Sequence, residues 1–298
     1  MKIETERVII TEFTMDMAQA VHETSLDEDN RRFVPDEVFE TLEDAADTVE
    51  FLISVYESGE GPLVYPVLLK DNTYIGYVQA VPFEENGWEI GYHIGEAFTK
   101  KGYATEAVKA FLPVIMNKLG ITVMAGVCLA DNKGSVKVME KSGFVKEFEG
   151  IGNYQGEYRE ICRFNYYMNP KDVVAKFFEE GYTNRNFDFV MECVAENYID
   201  NSPANARSNE DAVGILRIVA GQFTDLKATV IDVFAEDDMV AARIRFEGVH
   251  TGECMGIAPT GRYISFEALE TFKVKDGKIV ESWGYWPDKE IEAKLKAE

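Results

Sequence analysis

The sequence predicts two consecutive domains of different class. Residues 1–168 read as an α/β domain with a mixed β-sheet flanked by helices, and residues 169–298 as an α+β domain with a curved antiparallel sheet and helices. Three observations carry the prediction. The 298 residues exceed what one hydrophobic core ordinarily organises. The segment "YYMNPKD" (Tyr166–Asp172) punctuates the chain, because Pro170 ends a β-like run, "EICRFNYYM", close to the start of a helical pattern. The order of elements also changes there: strands and helices alternate before it, whereas after it helices come first and strands follow in a block.

Each element rests on a local pattern. In the first domain the strand "RVIITEF" precedes two helices, "AQAVHETS" and "EDAADTVEFLISVYESG". The run "LVYPVLLK", the turn "DNT", and the runs "YIGYVQAVPF" and "WEIGYHIG" read as strand, turn, strand and strand. A helix starts at Gly102, "VMAGVCL" is a strand, and "KGSVKVMEKSG" is a helix. In the second domain "KDVVAKFFEEGY" opens two or three helices. The runs "KATVIDVFAE", "DMVAARIRFEGVH", "RYISFEALETFKVKDG" and "KIVESWGYW" are its strands.

Composition bounds the function. With 46% of residues hydrophobic, the chain has material for packed interiors and is not a disordered sequence. The formal charge of −23 repels phosphate backbones and anionic lipid, so no nucleic-acid or membrane partner is expected, and basic or neutral small partners are favoured. No apolar run is long enough to span a bilayer, and the start "MKIETERVIITEF" lacks the apolar stretch of a secretion signal, which gives a cytoplasmic expectation. Cys128, Cys162, Cys193 and Cys254 stand apart, with no C-x-x-C pair and no clustered histidines. Free, buried thiols are expected, with neither a disulfide nor a metal site.

The stretch "GEAFTKKGYATEAVKAF" carries a lysine pair and one glycine directly into a helix. The first amides of a helix have no intrahelical acceptor and sit at the positive end of its dipole. Gly102, Tyr103, Ala104 and Thr105, with the charge of Lys101, therefore form a candidate cradle for an anion such as a pyrophosphate. By itself, a glycine before a helix is more often just a loop. Taken with its surroundings, "WEIGYHIGEAFTKKGYATEAVKAFL" followed by "VMAGVCLADNKGSVKVMEKSGF" resembles the GNAT family of N-acetyltransferases, and within it the branch that acetylates the N-termini of ribosomal proteins. The resemblance covers about residues 4–167. It implies acetyl-CoA as co-substrate, with the pantetheine arm on the strand of Tyr92 and Ile94, the pyrophosphate on the Gly102 loop, and Asn132 and Ser135 along the cofactor. Glu140, Lys141, Gly143 and Phe144 match the family's closing motif. The sequence departs from the pattern at Thr99 and Lys100, where relatives carry Arg or Gln and then Gly. It departs again at Met139, where many relatives place a tyrosine that protonates the departing thiolate.

Acetyl transfer needs a deprotonated amine and a route for protons. Glu89 and His93 lie on one face of their strand, two pleats apart, and with Ser135 they form the candidate catalytic set. Blander readings stand beside these: a solvated strand-edge Glu89, a satisfied structural His93, and Ser135 as a helix cap in competition with Asp131 and Asn132. The segment "SLDEDNRRFVPDE" lies where relatives form a substrate-facing loop, and by itself reads as a solvated loop.

The second half, through "GVHTGECMGIAPTGRYISFEALETFKVKDGKIVESWGYWPD", resembles the SnoaL-like polyketide cyclases, a cone formed by a bent sheet closed by helices around an apolar cavity. Relatives use an aspartate after the tryptophan of the last strand and a histidine on the preceding strand. Here those positions are Gly284 and Glu270, and a frequent histidine after "YID" is Asn201. Glu270 acts as an acid or base if the cavity desolvates it, and otherwise pairs with a neighbour or faces solvent. Along the last strand, Trp283 and Tyr285 should share one face and Trp286 the other, so Asn201, Glu270, Trp283 and Tyr285 are the candidate cavity residues. His250 reads as a structural residue at a strand end.

The resemblances together imply an acetyl-CoA-dependent N-acetyltransferase acting on a small-molecule amine or a protein N-terminus, with an appended ligand-binding, cyclase-like domain. A non-catalytic acetyl-CoA or small-ligand sensor, and a cyclase or isomerase working in the C-terminal cavity, stand as alternatives. Pairing of the cone domains through their sheet faces would give a homodimer.

Overall fold

A computed structural model describes residues 1–58, 61–83 and 87–297. The chain divides into two compact units: Met1–Leu119 with Val123–Tyr166, and Gly120–Thr122 with everything from Tyr167 onward.

The first unit is built on strands β1 (Ile3–Glu4), β2 (Val8–Ile10), β3 (Leu63–Leu69), β4 (Tyr74–Phe83), β5 (Gly87–Ile94), β6 (Val123–Leu129), β7 (Val145–Tyr154) and β8 (Glu157–Tyr167). They form one sheet in the spatial order β1-β2-β3-β4-β5-β6-β8-β7. Its helices are α1 (Ala18–Ser25), α2 (Glu28–Phe33), α3 (Leu42–Ser58), α4 (Tyr103–Leu119) and α5 (Lys133–Ser142). Gly59, the last residue of the expected second helix, lies outside the described residues. Six consecutive residues of β3, Leu63 to Leu68, are buried, so both faces of this strand are covered. Val64 and Leu68 join a cluster with Val21 of α1 and Val49 of α3. Tyr65, one residue along and so on the opposite face, packs on Phe111 of α4 with ring centroids 5.6 Å apart.

Two sequence expectations are corrected here. "SLDEDNRRFVPDE" is not a loop: the Asp27 carboxylate caps α2 by accepting from the Asn30 amide at 2.8 Å, and Pro35–Glu37 forms a 3₁₀ turn. An unforeseen strand, β7, forms the sheet edge, where Val145, Phe148 and Ile151 are exposed. An edge strand with its apolar residues in solvent offers no inward pattern to read.

The second unit opens with α6 (Pro170–Lys176), a π-helical segment (Phe177–Thr183) and α7 (Phe187–Cys193). It continues through β9 (Val194–Asp200), α8 (Asn209–Gln222), β10 (Phe223–Glu236), β11 (Met239–His250), β12 (Tyr263–Lys275), β13 (Lys278–Tyr285) and α9 (Asp288–Lys296). The sheet order is β10-β11-β12-β13-β9, antiparallel except for the parallel pair of β13 and β9. Register shifts at Thr224/Lys227, Val230/Asp232 and Lys273/Val274 mark bulges, which bend a strand and increase its twist. One face of β11 and β12 is buried in strict alternation, and Phe178 of the π-helical segment packs edge-on against Phe246 and Phe272. His250, at the end of β11, is fully buried, with Nδ1 3.0 Å from the Thr260 hydroxyl. All four cysteines are free and buried.

Candidate active site

In the first unit the sheet parts at its centre. β4 and β5 pair along their whole length, from Gly76↔Ile94 to Phe83↔Gly87, whereas the described register of β5 and parallel β6 holds one pair, Glu89↔Ala125. Just beyond that pair, the Glu89 carboxylate accepts from the Val127 amide at 3.1 Å, so a side chain replaces the missing ladder bond. A cleft of about 1350 Å³ opens here, lined among others by Tyr92, His93, Gly102, Ser135 and Glu37.

At one end of the cleft the loop enters α4 through two left-handed residues, Lys100 (φ 60°) and Gly102 (φ 87°). Lys100 thus keeps a glycine-like backbone without being glycine, which costs on the order of 1 kcal/mol. The loop is braced from β2's leading turn. Arg7 donates to the Lys101 carbonyl at 2.9 Å and to Glu106 at 2.6 Å, and Thr5 donates to Glu106 at 2.6 Å. Burial acts to raise the Glu106 carboxyl, but the bonds from Thr5 and Arg7 outweigh it and hold the carboxyl below its ordinary value. The amides of Tyr103, Ala104 and Thr105 start the helix and face the cleft end. Lys100 lines the cleft, whereas Lys101 turns its ammonium to the Ala97 carbonyl at 2.9 Å.

Across the opening, Asn132 caps α5 by accepting from the Ser135 amide at 3.0 Å. That frees the Ser135 hydroxyl from capping, and it lies 2.8 Å from the Tyr92 hydroxyl. Burial raises the Tyr92 phenol, so it stays a neutral partner. Ile94 is buried at the end of β5, and Met139 is buried against Gly126.

The groups able to move protons are differently placed from the sequence expectation. Glu89 is engaged with the β6 backbone. His93 pairs in register with Tyr77, and its buried Nε2 stands 3.6 Å from Asp27 Oδ2, beyond hydrogen-bond length. Glu37, unforeseen, folds in from the 3₁₀ turn to accept from Gln79 Nε2 at 3.1 Å. Burial pushes its carboxyl up to about 7, partly offset by the Gln79 bond. Gly91, the register partner of Gln79, makes this reach possible, because a Cβ there would lie 2.5 Å from Gln79 Nε2.

The second unit holds a separate cavity of about 580 Å³. Glu270 faces it from the inner row of β12 and is 9% exposed. Asn201 lies at the rim and donates to Glu281 at 3.0 Å, and Tyr285 is 70% exposed. Trp283 and Tyr285 do share a face, but it is the outer one at the cavity mouth. Ser282, Gly284 and Trp286 alternate inward, with Trp286 4.8 Å from Phe246 by ring centroid. Asp200 and Tyr198, which the sequence reasoning passed over, also line the cavity.

Two family matches divide the chain in the same way. Residues 7–145 match the acetyltransferase (GNAT) domain and residues 172–295 the SnoaL-like polyketide cyclase. YnaD of Bacillus subtilis (strain 168), an uncharacterized N-acetyltransferase, is 32% identical over 149 residues, covering 49% of this chain and 84% of its own. YoaA of the same organism, also an uncharacterized N-acetyltransferase, is 25% identical over 148 residues, covering 49% of this chain and 83% of its own. Among solved structures, RimL, a ribosomal alpha-N-protein acetyltransferase in complex with coenzyme A, shares the fold of the first half. Its TM-score is 0.50 at 18% identity, over 56% of this chain and 98% of its own. The chain belongs to the GNAT acetyltransferase family and is an N-acetyltransferase carrying a SnoaL-like domain in its second half. Among the described residues no helix is long and apolar enough to cross a membrane.

Proposed function

We propose that the first unit transfers an acetyl group from acetyl-CoA to a primary amine, of a small molecule or a protein N-terminus, with Glu37 accepting the amine proton. The parting of β5 and β6 beside the start of α4 is the observation that carries this reading. It offers exposed strand backbone to an extended arm and helix amides to a pyrophosphate.

When bound, acetyl-CoA supplies an acetyl group already activated as a thioester. Tyr103, Ala104 and Thr105 hold the pyrophosphate through their amides, with Lys100 adding charge, and Tyr92 and Ile94 flank the arm. Glu37 takes a proton from the amine as its nitrogen forms the new C–N bond. A base with a pKa near 7 is matched to that task at neutral pH. The Ser135 hydroxyl, hydrogen-bonded to Tyr92, donates a hydrogen bond to the sulfur as the C–S bond breaks, and the departing thiolate takes its proton from water in the open cleft. His93 lines the cleft with Asp27 behind it, and the Glu89 carboxylate bridges to β6 where the strands part.

Calorimetric titration of the full-length protein with acetyl-CoA, beside Gly102→Glu, tests the reading. Binding that vanishes in the folded variant, with acetylation of at least one member of an amine panel by the parent, supports it. Absence of binding to the parent defeats it, and tight binding with no turnover on the panel favours a sensor.

A further inference from the structure

The cavity of the second unit is unused by acetyl transfer, and its wall has a definite chemistry. Its aromatic side is made by Phe177, Tyr182, Tyr198 and Trp286, with Trp286 and Tyr182 6.4 Å apart by ring centroid. Its charged lining is acidic: Asp200, Glu270 and Asp288 face it, and among the described lining residues there is no lysine, arginine or histidine. Glu270 is the one carboxyl in the inward row Ile264, Phe266, Ala268, Glu270, Phe272 and Val274, and the cavity holds no basic residue to pair with it. Ser282 is the hydroxyl donor that acts on Glu270, and it is shared with other partners. Tyr198 and Ser282 share a hydrogen bond at 2.6 Å, and Asp200 accepts from the Ser202 amide and hydroxyl, each at 2.7 Å. The wall therefore presents carboxylate acceptors and π faces, the partners that an ammonium group requires.

We propose that this cavity binds a small organic cation, with its ammonium against Glu270 and its hydrocarbon body on Trp286 and Tyr182. Gly284 leaves the space for it. Gly284 is the register partner of Glu270, and a Cβ there would lie 3.4 Å from Glu270 Cδ and 3.0 Å from Trp286 Nε1. A side chain at this position would fill the gap between carboxyl and indole. The cavity volume suits a ligand of one or two rings.

Charge regulation follows from the same geometry. Burial, and then the neighbouring Asp200, push the Glu270 carboxyl up to about 8. The other titratable groups facing it are Tyr198 of β9, Tyr182 of the π-helical segment and Asp288 at the start of α9, while α8 contributes Ala212, Ile215, Leu216 and Val219. At neutral pH an entering cation must displace the Glu270 proton. Affinity for a permanently charged ligand therefore rises with pH until Glu270 is ionised.

The probe is benzyltrimethylammonium, which cannot accept an acetyl group, so its binding is independent of the acetyl-transfer reading. Calorimetry on the full-length protein compares it with the uncharged isostere neopentylbenzene at pH about 6.5 and about 8.5. The expected result is binding of the cation at least about tenfold tighter than the isostere, and tightening by about tenfold or more across that range with release of a proton. At pH about 8.5 Glu270→Gln should weaken binding about tenfold, and it should remove the pH dependence. A broadened or shifted Trp286 indole N–H resonance on titration of the parent places the probe without relying on any variant. At pH about 8.5, equal binding of the isostere, no binding at millimolar concentration, or unchanged binding to a folded Glu270→Gln overturns the proposal.

Discussion

Each unit of this chain holds a carboxyl that burial has raised, yet the two are put to different uses. Glu37 sits at the side of an open cleft, takes a hydrogen bond from Gln79, and is pushed up to about 7. Glu270 sits in an aromatic chamber beside another carboxylate and is pushed up to about 8. Around Glu37 are helix amides, a parted strand pair and a serine–tyrosine hydroxyl pair, which are parts for binding a phosphorylated co-substrate and passing protons. Around Glu270 are rings and carboxylates, which are parts for holding a cation. A raised carboxyl alone does not define a function; the donors, acceptors and openness of its surroundings do.

Perturbing each side separately sharpens this contrast. The largest effect should come from Gly102→Glu, which forces a charged side chain into a left-handed position at the helix N-terminus. Acetyl-CoA affinity should fall by about 100-fold or more in calorimetry. Next, Glu37→Gln should lower kcat/KM for an amine acceptor by about 100-fold, as expected on losing a general base. Gly91→Ala, which displaces the Gln79 amide from Glu37, should cost about tenfold in kcat/KM and move the acidic limb of the pH profile upward.

On the other side, Glu270→Gln should be seen in stability. The folded chain binds the Glu270 proton more tightly than the unfolded chain, whose glutamate titrates near its ordinary 4.5. The stability of the parent should therefore be fully present below about 4.5 and fall as pH rises through about 8. The variant should melt several degrees above the parent at pH about 9 and close to it at pH about 5, by differential scanning fluorimetry. The smallest effect belongs to Lys100→Gly. Relief of its positive φ is opposed by loss of one charge, so acetyl-CoA affinity should shift by less than about threefold.

Much of this was legible in the sequence, and the exceptions have physical causes. The glycine-to-helix step at Gly102 and the alternation of β11 and β12 are local patterns, and local patterns survive into the fold. The same period of two places Glu270 inward. The inner and outer faces of β13 were not legible, because Trp283, Tyr285 and Trp286 are all aromatic and their composition alone does not choose a face. Glu37 was hidden for another reason. Its carboxyl is raised by burial in the folded cleft, and its partner Gln79 is 42 residues away, reached only because Gly91 on a third segment has no Cβ. Likewise Glu89 sits on the expected strand, but its bond to Val127 exists only because β5 and β6 part there.

The pH dependence of kcat/KM for the parent and for Glu37→Gln, with the best acceptor from an amine panel, bears most directly on the assignment of the acetyl-transfer base. The parent should show activity rising with pH through about 7, and the variant should lose both that ionisation and most of its rate. An ionisation near 7 that persists unchanged in a folded, acetyl-CoA-binding Glu37→Gln would contradict the account.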